Sequence, residues 1–166
     1  MLCFTEYQLT WLCLVFCANI ERTIFFEKVS IIVNTLLFAG ILGFLYIAMA
    51  LYVIAGRIKY KISIGDGGNE LMARRIRMHG NFAEYAPFGL MLLFLLDEAA
   101  CSAVMVSVLG TMLVLGRIFH AIAFSRLKGP RFFRQIGMAL TFISILAMSG
   151  LLIWMSVHET AIGHVS

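Results

Sequence analysis

Residues 75–87 read RIRMHGNFAEYAP and run on into FGLMLLFLLD at 88–97. The nine residues from Phe88 to Leu96 carry no polar side chain, which suits lipid. The half before them holds Arg77, His79, Asn81 and Glu84. Each is expensive in hydrocarbon, and packing alone does not account for any of them. The stretch looks bound for a lipid bilayer, and the question is why its first half carries these four side chains.

Composition fixes the solvent. The chain has 166 residues, 61% hydrophobic and 13% charged, with a mean hydropathy of +0.94. Soluble domains run about 45–50% apolar and about 25% charged. The expected fold is therefore all-α, an integral membrane bundle in one domain. The net charge of +4 does not indicate nucleic-acid binding, because the basic residues sit in short loops between apolar runs. Cys3, Cys13, Cys17 and Cys101 form no CxxC pair and have no His close in sequence, so neither a metal centre nor a disulfide framework is expected.

Four spans can be placed by length. Ile31–Gly56 gives 26 residues without a charge, and Ile136–Val157 gives 22. Ala99–Ser125 is interrupted only by Arg117 and His120. Asn81–Leu96 becomes a full span of about 20 residues only if its helix begins near Glu70. The Gly-Asp-Gly-Gly run at 65–68 lacks the strand that precedes a phosphate-binding turn, so it is read as a loop. Ala39 and Gly43 are read as small residues permitting close helix contact. Residues 31–158 form the membrane domain, preceded by an extension at 1–30 and followed by a short tail at 159–166. Within the extension, Leu9–Ile20 is short for a span, and Glu6 is the charge ahead of it where a secretory signal would carry a cation. An interfacial segment, a short fifth helix and an over-extended gene start all stay open.

The Lys and Arg positions set the orientation. The loop after the first span holds Arg57, Lys59, Lys61, Arg74, Arg75 and Arg77; the loop after the third holds Arg126, Lys128, Arg131 and Arg134. Only Arg22 and Lys28 fall on the other side, so loops 57–77 and 126–134 are expected to be cytoplasmic. Asp97 and Glu98 are read as acids of the short opposite turn.

On a helix, Arg74, Arg77, Asn81 and Glu84 are spaced by three, four and three, with Tyr85 beside them. Arg117, His120 and Phe124 repeat that spacing on the third span. Glu84 lies roughly 10 Å of helix beyond Arg77, and Arg117 roughly 13 Å before Arg126, so the two charges are expected at similar depth. Their meeting is either a structural ion pair or part of a site. The surplus of arginines and His120 point to an anionic ligand entering from the cytoplasmic face.

These residues resemble the second-helix signature of the MAPEG family, the membrane-associated proteins of eicosanoid and glutathione metabolism: Arg77-x-His79-x-Asn81-x-x-Glu84-Tyr85-x-Pro87. The preceding Gly-Asp-Gly-Gly-Asn-Glu-Leu, 65–71, resembles bacterial members, and Gly116-Arg117-x-x-His120-Ala121 is similar to the family's third-helix motif. The resemblance covers about residues 30–157. It implies a four-helix bundle assembled as a homotrimer in a bacterial inner membrane, with glutathione as co-substrate between subunits. Arg74, Arg77, Asn81, Glu84, Tyr85, Arg117 and His120 are the candidate glutathione contacts. Arg117, Arg131 or Arg134 would activate the thiol against a lipophilic electrophile in a transferase or peroxidase reaction. Phe124 stands where several glutathione-using members carry Tyr, and Ile58 where the leukotriene-synthase branch has a second Arg. A non-catalytic lipid-binding or scaffold protein of the same fold is the rival reading. A cation exporter fits less well, since the first span holds no acid and Glu84 is surrounded by positive charge.

Overall fold

The computed structural model describes residues 34–99, 101–125 and 131–163, with the side chains of the last stretch described to 158. The 1–30 extension, Arg126, Lys128 and His164 lie outside the described residues. Four helices run through the rest: α1 Asn34–Tyr60, α2 Glu70–Glu98, α3 Ala103–Phe124 and α4 Arg131–Gly163. The all-α reading holds, and α2 begins at the residue a full second span requires. α1, α3 and the Arg131–His158 part of α4 are long and apolar enough to cross a membrane. α2 reaches 29 residues, but the polar half of the opening stretch keeps it out of that group.

The α1–α2 connection shows why α2 starts where it does. Gly65, Gly67 and Gly68 all have positive φ, a region open to glycine without penalty. Asp66 Oδ1 accepts from the Gly68 N–H at 3.0 Å, and Arg57 donates to the carbonyls of Ser63 and Gly65. Asn69 then caps α2, its Oδ1 accepting from Met72 N at 3.0 Å, with Glu70 placing an acid in the first turn. The glycine run makes a helix-entry loop, as its lack of a strand predicted.

Contacts at the two ends fix an antiparallel arrangement. At one end Arg75 Nη1 donates to the Tyr52 carbonyl at 2.9 Å with its guanidinium 3.8 Å from the Tyr52 ring, and Tyr52 Oη donates to Ser125 O at 3.1 Å. That end gathers the end of α1, the start of α2 and the end of α3. At the other end Thr35 Oγ1 donates to Asp97 Oδ2. Asp97 is 1% exposed, so it is no turn acid. It falls in phase with Gly89, Leu93 and Leu96 on the core face of α2, and Thr35 ties it to α1.

The core is built from Phe38, Leu42, Phe82, Leu93, Leu96, Val106, Leu113 and Met148. Met91, Phe94, Met105 and Phe142 are exposed, as lipid-facing side chains of a membrane bundle are. The close approaches differ from the expected ones. A Cβ at Gly43 would meet nothing within 4 Å, whereas one at Gly110 would strike the Phe38 ring and one at Gly89 would reach Leu113 at 2.8 Å. The tightest backbone approach joins α3 to α4, where a Cβ on Gly137 would lie 2.6 Å from His120 N and 2.7 Å from Gly116 O.

Candidate functional site

The α3–α4 crossing places the central side chain of the site. Because Gly116 and Gly137 carry no Cβ, α4 closes onto α3 and sets Thr141 against Arg117. Arg117 is 1% exposed. Its Nε and Nη2 donate to Thr141 Oγ1 at 3.1 and 2.6 Å, and Thr141 Oγ1 passes its own proton to Gly137 O at 2.8 Å. Nη2 also reaches Met138 Sδ at 3.8 Å. Nη1 crosses to α2, where it donates to Asn81 Oδ1 at 2.9 Å and to the Asn81 carbonyl at 3.5 Å. The Tyr85 ring centroid lies 5.5 Å from Cζ, within cation–π range. One guanidinium therefore joins three helices.

The partner is not the expected one. Among the described residues no ion pair joins Glu84 to Arg117, and Glu84 is exposed. Depth matched, but angle did not. At about 100° per residue, Arg74, Asn81 and Tyr85 fall within about 40° of one another, while Arg77 and Glu84 sit about 60–80° further round. The single stripe read from spacing is two. Asn81 and Tyr85 face the bundle; Arg77 and Glu84 face outward, and both are exposed.

Arg74 has a structural task. Its Nη2 donates to Ala123 O at 3.1 Å, satisfying a carbonyl in the last turn of α3, and its guanidinium lies 5.5 Å from the Phe124 ring centroid. Phe124 also stacks on His120 at 4.8 Å between centroids. His120 is buried. Arg131 and Arg134 occupy the first turn of α4, both exposed. Thr141 and Met138, which complete the Arg117 pocket, were not singled out from sequence. A threonine four residues after a glycine in an apolar run was the only signal available.

Chemically, the site is a cation buried without a counter-charge among the described residues, with a second cation and an acid on the adjacent outer face. No group of His, Cys, Asp and Glu suited to hold a metal occurs among the described residues.

Comparison with known proteins identifies relatives of the chain. The sequence model described as the MAPEG family matches residues 35–154. The chain is also similar to the inner membrane protein YecN of Escherichia coli strain K12, at 31% identity over 114 residues, 68% of this chain and 84% of the relative. YecN of Escherichia coli O6:H1 strain CFT073 matches with the same figures.

Proposed function

We propose that this chain, which belongs to the MAPEG family, binds glutathione in a bacterial-type inner membrane and presents its thiol to a lipophilic electrophile. The observation that carries the reading is Arg117. A guanidinium keeps its charge, and here it is buried in a membrane bundle with only neutral partners among the described residues. Such a charge costs stability, and a bound anion nearby offsets that cost.

Glutathione suits what surrounds it. The ligand carries two carboxylates, an ammonium and a thiol. Glu84 takes the ammonium, exposed Arg77 a carboxylate in a bidentate fork, and Asn81 an acceptor of the peptide backbone. A free thiol of pKa about 8.5 is only a few per cent thiolate at pH 7, so positive charge near the sulfur matters. Arg117, Arg131 and Arg134 are the candidate sources, the last two exposed in the first turn of α4. In the transferase reaction the thiolate sulfur bonds to an electrophilic carbon as that carbon's leaving group departs with its bonding electrons as an anion, and the thiol proton is released. In the peroxidase reaction two glutathiones are oxidised to the disulfide as a lipid hydroperoxide is reduced to the alcohol and water. Phe124 favours a second reading, ligand binding without chemistry, since it offers no phenol beside His120.

Arg77 and Glu84 face outward at the middle of α2, flanked by exposed Phe88 and Met91. A homotrimer covers that face and completes the site between subunits, with membrane lipid around it and loops 57–77 and 126–134 cytoplasmic. Light scattering in mild detergent is expected to give three times the chain mass; a folded monomer across the working concentration range would end this part of the reading.

The ligand is tested by calorimetric titration of glutathione into wild type and Asn81→Ala. Removing the Asn81 amide is expected to weaken binding by about 1–3 kcal/mol, roughly 5- to 150-fold, and to lower the thermal midpoint as well, because Arg117 Nη1 loses its side-chain acceptor. Absence of binding to wild type at millimolar glutathione would leave the lipid-binding alternative standing.

A further inference from the structure

Asn81 carries more information than its place in the motif. A side-chain amide has one end that accepts and one that donates, and only its surroundings decide which end points where. Arg117 decides it here. A guanidinium has donors and no acceptor, so the end of Asn81 lying 2.9 Å from Nη1 must be the oxygen. Arg117 is fixed in turn from α4. Nε and Nη2 both converge on the Thr141 hydroxyl, whose own proton is committed to the Gly137 carbonyl, so Thr141 meets Arg117 as an acceptor. Every nitrogen of the guanidinium is occupied by protein.

The consequence lies at the other end of the amide. Asn81 Nδ2 makes no hydrogen bond among the described residues and is not sealed from solvent. It is a fixed N–H donor, left open beside a buried positive charge.

We infer that Arg117 and Thr141 are positioning residues that lock the Asn81 amide with Nδ2 toward the ligand. The site thereby selects a ligand that places an acceptor, a carboxylate or peptide carbonyl, at that point. The identity of the ligand rests on the glutathione reading above; the lock itself does not. Arg117 then acts on the ligand through its field and through Asn81, not as a direct clamp.

Asn81→Asp separates this arrangement from a general need for a polar residue. The aspartate keeps the shape and the acceptor facing Arg117, and gives the buried guanidinium a counter-charge. It replaces the open donor by an anionic oxygen. The thermal midpoint is expected at or above that of wild type, while glutathione binds at least tenfold more weakly than to Asn81→Ala, which merely lacks the donor. Thr141→Val, near in shape but without the acceptor, is expected to lower affinity about tenfold, and Thr141→Ser to restore it. A role for Thr141 in packing alone predicts the reverse order, with Val retaining affinity.

Tighter binding of glutathione to Asn81→Asp than to Asn81→Ala would overturn the inference, since the ligand would then be offering a donor at that point. If wild type binds no glutathione, the functional reading fails and the midpoints alone judge the lock. A fall in the midpoint of Asn81→Asp equal to that of Asn81→Ala would show that Arg117 does not face an acceptor there.

Discussion

Gly137→Ala is expected to lose the packed bundle. The added methyl would lie 2.6 Å from His120 N and 2.7 Å from Gly116 O, and both are backbone atoms of α3 that no rotamer change can move. α4 must therefore draw away along the crossing. Overpacking in a well-packed core costs about 1–3 kcal/mol, and the upper end or beyond applies when backbone blocks the relief. Separation also pulls Thr141 from Arg117, leaving a buried cation short of acceptors, at about a further 1–3 kcal/mol. The thermal midpoint in detergent should fall far enough that little folded protein survives purification. Gly150→Ala is the control on the same helix, because a Cβ there meets nothing within 4 Å. It should melt at or slightly above wild type, since alanine is about 1 kcal/mol better than glycine inside a helix. A Gly137→Ala protein that melts with wild type would mean that α3 and α4 do not approach this closely.

That crossing also marks the boundary of what could be read from the sequence. Span lengths gave four helices, and the capping Asn69 with Glu70 behind it makes the start of α2 where the span required it. Asn81, Arg117 and His120 stood out because polar groups are rare in such runs, and the structure gathers Asn81 with Arg117 and keeps His120 buried nearby. Angle was the part that went astray. Spacings of three and four keep residues on one broad face, yet the drift between Asn81 and Glu84 is enough to turn one inward and the other out. Opposite charge made Glu84 the natural partner of Arg117, although a neutral amide held the inward position. Small-residue contacts failed for a related reason. Ala39 and Gly43 carry the pattern of a close contact, but α1 and α2 leave a groove there of about 350 Å³. Gly116 and Gly137 meet instead, and which pair meets depends on helix rotation that the sequence does not state. Asp97 was readable as core by its phase with Gly89 and Leu93, but its charge and its place near a turn argued more loudly.

Arg117→Met is expected to separate folding from binding more sharply than any other single change. Methionine fills much of the same volume and removes a charge from a low-dielectric interior, which is often neutral or stabilising. Against this, Asn81 Oδ1 loses its donor, a cost of about 1–3 kcal/mol. The two nearly cancel, so the thermal midpoint should move by only a few degrees. Thr141 keeps its bond to Gly137 O and the α3–α4 crossing is untouched. Ligand affinity has no such compensation. The positive field disappears and the Asn81 amide is free to turn its acceptor outward. Together these should cost about 2–4 kcal/mol, roughly 30- to 1,000-fold in the dissociation constant for glutathione. Glu84→Gln, made alone and combined with Arg117→Met, then tests the geometry. Because Glu84 is exposed and Arg117 bonds elsewhere, their effects on stability should add within about 0.5 kcal/mol. A collapse of the Arg117→Met midpoint, together with a coupling to Glu84 above about 1 kcal/mol, would restore the ion pair that charge and depth suggested. A stable Arg117→Met protein that binds glutathione like wild type would show that the buried cation serves neither folding nor ligand.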